Sequence, residues 1–126
     1  MRIEVLEIAP RSGGPAVRFA SPHGTAWSRW RGDDAPSPGV WTAEIDVPDE
    51  AVAWRRTENA SDFICEGRAG QIDICGTVEF FEDSTAGIRV GGDVILFEIT
   101  DEAMEDALDS RVVITVPGLD LYPYAL

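Results

Sequence analysis

The sequence predicts a mainly β protein, a single small antiparallel β-barrel domain spanning residues 1–126, and three observations predict it. Apolar and polar residues alternate in repeated short segments, those segments are parted by Gly, Pro, Asp and Ser, and only one stretch has helical spacing. At 126 residues the chain is long enough to bury one modest hydrophobic core without a metal or a disulfide.

The clearest strand runs from Trp41 to Val47, with Trp41, Ala43, Ile45 and Val47 on one face, Thr42, Glu44 and Asp46 on the other, and Pro48 ending it. A second covers residues 71–82. It places Ile72, Ile74, Val78 and Phe80 inward and Gln71, Asp73, Thr77 and Glu79 outward, with Gly76 midway where a bend or bulge costs little. Further strands are expected at Arg2 to Ile8, Ala16 to Ala20, Thr25 to Arg31, Asp62 to Glu66, Gly87 to Val90, Val94 to Ile99 and Arg111 to Val116. The connectors carry turn chemistry: Ser12-Gly13-Gly14, Pro22-His23-Gly24, Asp33 through Gly39 with two prolines, and Gly91-Gly92-Asp93. Such short connections favour antiparallel neighbours.

The helical stretch runs from about Asp101 to Leu108. Thr100 or Asp101 can cap it, and Ala103, Met104, Ala107 and Leu108 form an apolar stripe. A long bent strand, two strands, a short helix and a returning strand therefore follow one another between Gln71 and Val116. That order resembles the oligonucleotide/oligosaccharide-binding (OB) barrel, in which a helix lies between the third and fourth strands, and the resemblance is one of topology. A β-sandwich is the alternative that the same alternations allow.

Charge is the unusual property: 23 carboxylates face 10 basic side chains, every one of them Arg, for a net charge of −13. Residues 1–60 hold 7 Arg and 9 acids, whereas residues 61–126 hold 3 Arg and 14 acids, so almost all of the excess lies in the second part. A surface this negative repels phosphate backbones and anionic lipid, which makes a nucleic acid or membrane partner an unfavourable reading and a basic protein partner the expected one. Glu4 and Glu7 interrupt the first apolar positions, so no signal-peptide core is read there, and the longest aliphatic and aromatic run is only Val94 to Phe97. A soluble, cytoplasmic protein is expected. Cys65 and Cys75 would face each other in a hairpin turning near Gly70, where a cross-strand disulfide is conceivable. Without an export signal, two reduced thiols are the expectation.

No motif for catalysis, cofactor or metal emerges. The single histidine, His23, sits in a Pro-His-Gly turn without a nucleophile context, and the two thiols have no histidine near them in sequence with which to hold zinc. The acid pairs Asp33-Asp34, Glu82-Asp83, Asp101-Glu102 and Glu105-Asp106 are sequence neighbours, and neighbouring side chains point apart instead of flanking one substrate. A calcium loop counted from Asp34 puts Gly39 sixth, but Pro36 and Pro38 fall on the third and fifth ligand positions. Gly91-Gly92-Asp93 lacks the spacing and the lysine of a phosphate loop.

Two surfaces remain as candidates for interaction. One is acidic: Asp101, Glu102, Glu105, Asp106 and Asp109, in which Asp101, Glu105 and Asp109 would stack along one side of an α-helix and repel one another. The other is aromatic and basic: Trp27, Arg29, Trp30 and Arg31, where strand alternation puts Trp27, Arg29 and Arg31 on one face and Ser28 and Trp30 on the other. One tryptophan is then core and the other exposed. Trp and Arg suit both interface hot spots and stacking on bases. The function expected from these features is a non-enzymatic acidic module, of the antagonist or immunity type, that binds a basic protein. The alternatives are an OB-like barrel that takes a single strand or a sugar on its Trp and Arg side chains, and an enzyme whose residues form no recognisable motif.

Overall fold

A computed structural model describes residues 1–124. Eleven strands follow in order: β1 (Arg2–Ala9), β2 (Ala16–Ser21), β3 (Gly24–Trp30), β4 (Gly39–Asp46), β5 (Ala53–Arg56), β6 (Phe63–Glu66), β7 (Ile72–Glu82), β8 (Thr85–Val90), β9 (Asp93–Glu98), β10 (Arg111–Val116) and β11 (Asp120–Pro123). The protein is mainly β, with a small closed barrel. That barrel runs β1-β2-β3-β11-β4 and back to β1. Its pairs are antiparallel except one: β11 joins β3 in parallel, through only two residue pairs, Asp120 with Arg29 and Leu121 with Trp30. The remaining strands form an open sheet in the order β5-β10-β7-β8-β9, with β6 added on β7.

The segment from Gln71 to Val116 contains the expected succession of strands, helical turn and strand, and β10 does return to pair with β7. Those strands lie in the open sheet, while the five that close into a barrel come from elsewhere in the chain. Both sheets turn their alternating apolar residues onto one continuous core. Ile3, Val17, Phe19, Ala43 and Leu121 enter it from the barrel, and Ile74, Ile88, Phe97, Val112 and Ile114 enter it from the sheet. The sheet meets the barrel where the Ile64 N–H of β6 donates to the His23 carbonyl in the β2–β3 turn at 3.0 Å, and the connector after β4 is held to β9 by the Ala51 N–H donating to the Glu98 carbonyl at 2.9 Å.

Several details differ from the sequence reading. Phe80 does not face inward: the register slips between Val78 and Phe80, and a one-residue slip reverses the faces, leaving Phe80 outside over Gly87 while Phe81 packs toward the core. Gly76 serves close approach, because a Cβ there would run into the Arg89 backbone carbonyl across the strand pair. The turn joining β7 to β8 is a two-residue one, with Asp83 and Ser84 both at positive φ (51° and 62°), the backbone that suits the twist of a hairpin.

The helical segment is a 3-10 helix, Glu102–Ala107, and not an α-helix. With three residues per turn, Met104 and Ala107 share the buried side, whereas Ala103 and Leu108 drop out of the expected stripe and are exposed. The spacing of Asp101, Glu105 and Asp109 no longer stacks their charges for the same reason. Asp101 caps the helix, accepting the Ala103 N–H at 3.0 Å. The cysteines are both free; Cys75 lies opposite Phe63 and Cys65 opposite Asp73, so the hairpin forms as expected but in a register that sets the two sulfurs diagonally. No helix among the described residues is long and apolar enough to cross a membrane.

Candidate ligand cleft at the barrel seam

Strand β3 follows the alternation closely. Ala26, Ser28 and Trp30 turn into the barrel, while Trp27 and Arg29 turn out, with Arg31 beyond the strand end also exposed. Trp30 is therefore a core residue. Its ring meets Trp41 edge to face, with centroids 4.9 Å apart, and its Nε1 donates to the Asp34 carbonyl at 2.8 Å. Trp41 Nε1 donates to the Ser37 carbonyl at 2.9 Å, so the two indoles hold the Pro-rich connector against the barrel. Trp54 packs at the margin of the core and donates to the Asp101 carboxylate at 3.0 Å.

Arg29 and Arg31 converge on one carboxylate. Arg29 Nε donates to Asp120 Oδ1 at 2.9 Å and Arg31 Nε donates to Asp120 Oδ2 at 3.0 Å, although Asp120 itself is only 1% exposed. Strand pairing explains the arrangement, since Asp120 stands directly beside Arg29 in the parallel seam. A buried carboxylate is tolerable only when its oxygens are this fully engaged. The bond to Asp120, followed by its charge, pushes Arg31 above the ordinary arginine value.

Ahead of those two residue pairs, where the chain leading into β11 passes β3, lies a cleft of about 520 Å³. Trp27 and Arg11 form part of its wall, with the Arg11 guanidinium 6.0 Å from the Trp27 ring centre. Arg29, Asp120 and Asp49 contribute its charges, and the chain at Pro117, Gly118 and Leu119 borders it. Ser28 also lines it, and Ser28 Oγ is buried without any hydrogen-bond partner among the described residues. The volume falls within the usual range for small-ligand sites, roughly 300–1,000 Å³.

The structure thus brings Trp27, Arg29 and Arg31 to one surface and removes Trp30 from it. Sequence reasoning passed over Arg11, Asp49 and Asp120 as site residues and treated Ser28 only as a marker of strand face. Two signals were there to find them: Asp120 interrupts the apolar run Leu119 to Leu121, and Ser28 is a hydroxyl on the same face as Ala26 and Trp30.

The acidic segment lies elsewhere. Glu102, Glu105, Asp106 and Asp109 are exposed, and none of them forms a salt bridge among the described residues; Arg56 reaches the backbone carbonyl of Asp106, not its carboxylate. A third cluster is structural. Arg111 of β10 donates to Asp62 and to Thr77 Oγ1, and Asp62 also accepts the Gly91 N–H at 2.7 Å. Burial works against the charge on Asp62, but the Gly91 N–H and the Arg111 guanidinium outweigh it and hold the carboxyl below its ordinary value. His23 is half-buried against Gly91, which combines a positive φ of 62° with an imidazole where a Cβ would stand. Burial pushes both thiols up, so neither is primed as a nucleophile. No group of three or more His, Cys, Asp and Glu among the described residues is placed to hold a metal ion.

Comparison with known proteins finds no matching family model, no matching curated protein and no matching solved structure.

Proposed function

We propose that the protein is a binding module whose seam cleft takes a small polar ligand against the Trp27 ring. The observation that carries this reading is the cleft itself, about 520 Å³ bordered by the half-buried Trp27 ring and by the charged side chains of Arg11, Arg29 and Asp49. Trp27 adds an apolar platform, and Arg29 is preset by Asp120. Binding is favoured over catalysis because Ser28 has no imidazole or carboxylate hydrogen-bonded to activate it, and His23 sits away from the cleft, against Gly91. The test is an NMR screen of small polar compounds, with the Trp27 indole and the amides of Arg29 and Gly118 as reporters. Shifts confined to these groups support the reading, and a library that moves none of them rejects it.

A second reading rests on a different observation, the unpaired carboxylates of Glu102, Glu105 and Asp106 on a protein of net charge −13. They suit a basic protein partner, drawn in by long-range attraction. Retention on an immobilised basic protein at low ionic strength, released by modest salt, is the result expected. Passage straight through the column would end this reading. A single-stranded nucleic acid is the least favoured occupant of the cleft, since that affinity comes mainly from phosphate neutralisation.

A further inference from the structure

We infer that the cleft ligand is a neutral, polyhydroxylated molecule, a saccharide, and this inference rests on the reading of the cleft as a binding site. The first argument is charge. Among the lining residues Arg11 and Arg29 are matched by Asp49 and the buried Asp120, so the lining has no net charge to favour an ion of either sign. Neither sign gains from entering, and the field of the whole molecule further opposes an anion.

The second argument is the inventory of open hydrogen-bonding groups. Arg29 commits its Nε to Asp120, with Nη2 in a longer contact at 3.5 Å, and leaves Nη1 free to donate. Arg11 gives only Nη1, to the neighbouring Pro10 carbonyl. Asp49 is an acceptor with no hydrogen-bond donor or salt-bridge partner among the described residues. A complementary ligand has to accept from guanidinium and donate to carboxylate within one small volume. A phosphate or carboxylate only accepts and an ammonium group only donates, whereas each sugar hydroxyl does both.

The third argument is shape. The outward ring of Trp27 is half-buried in the cleft wall, a flat apolar surface beside polar groups. The C–H face of a pyranose matches that surface while its rim of hydroxyls reaches the charged side chains.

The experiment is calorimetric titration of the full chain with a panel of neutral mono- and disaccharides, the corresponding uronic acids and amino sugars, an oligothymidylate and a capped dipeptide, with the Trp27 indole resonance followed in parallel. A neutral saccharide is expected to bind, with an affinity that changes less than about twofold between low and high salt because no ion pair forms. Trp27→Ala should weaken it about tenfold or more and Trp27→Tyr should restore most of the loss. Preference for a charged member or the dipeptide, still lost in Trp27→Ala, overturns the ligand class and leaves the cleft standing. A panel in which nothing moves the Trp27 indole overturns both.

Discussion

The closed barrel and the open sheet share one core but treat polar groups in opposite ways. The sheet lays Ile72, Ile74, Val112, Ile114 and Val116 against Ile88 and Phe97 and contributes no buried polar or charged residue. Ser28 and Asp120 are the buried polar and charged residues of the described chain, and both belong to the barrel, on the two strands of its parallel seam. Packing holds the sheet together. At the seam, where only two residue pairs join β3 to β11, charge supplements packing through Asp120 and its two arginines. The cleft lies beside that arranged charge, bordered by Arg29 and Asp120.

The strongest way to break this comparison is to strip Asp120 of its partners. Arg29→Ala with Arg31→Ala leaves a buried carboxylate uncompensated, and the expected loss is about 3–5 kcal/mol in urea unfolding. A loss below about 1 kcal/mol would show that the seam does not depend on charge. The matching perturbation of the sheet is Gly76→Ala, which drives a methyl group against the Arg89 carbonyl and should cost about 1–3 kcal/mol with no dependence on salt. A neutral result would mean that β7 and β8 can part freely.

Asp62 sharpens the comparison through pH, because it is the sheet's own charge-linked brace. Its carboxyl lies below the ordinary value in the folded protein, so its contribution is complete above about pH 4 and fades as pH falls through the folded-state value. Wild-type stability should therefore drop more steeply toward acid than that of Asp62→Asn, and equal slopes would remove Asp62 from the account. The smallest effect is expected on the acidic segment. Neutralising Glu102, Glu105 and Asp106 together to Gln, Gln and Asn should change stability by no more than about 0.5 kcal/mol while reducing retention on a basic protein.

Much of this architecture was legible from alternation alone. The inward faces of β3 and β4 and the sorting of Trp27 from Trp30 follow from period two, because one side of each strand meets a core. Phe80 was misplaced because a bulge shifts the period by one residue without changing composition. β5 and β11 escaped notice for separate reasons. Trp54, Arg55 and Arg56 are exposed or partly exposed, so β5 has little apolar pattern to read, and β11 is only four residues long with a buried charge, Asp120, on its outer face beside Arg29. The 3-10 helix differs from the expected α-helix because its short length leaves the closing contacts, and not intrinsic preference, to choose the winding. The cleft was invisible for a deeper reason: Arg11, Ser28, Asp49 and Asp120 are scattered over the chain, and only the seam gathers them.

That seam also orders events in time. Residues 120–123 complete a barrel whose other strands end at Asp46, so β3 and β4 must wait, with facing edges unpaired, for a strand more than seventy residues further along the chain. Closure across such a separation is slow, and during synthesis it happens last. Until then Arg29 and Arg31 have no Asp120, and the cleft has no far wall. A ligand that fitted the cleft, as proposed above, would act as a latch on the completed barrel.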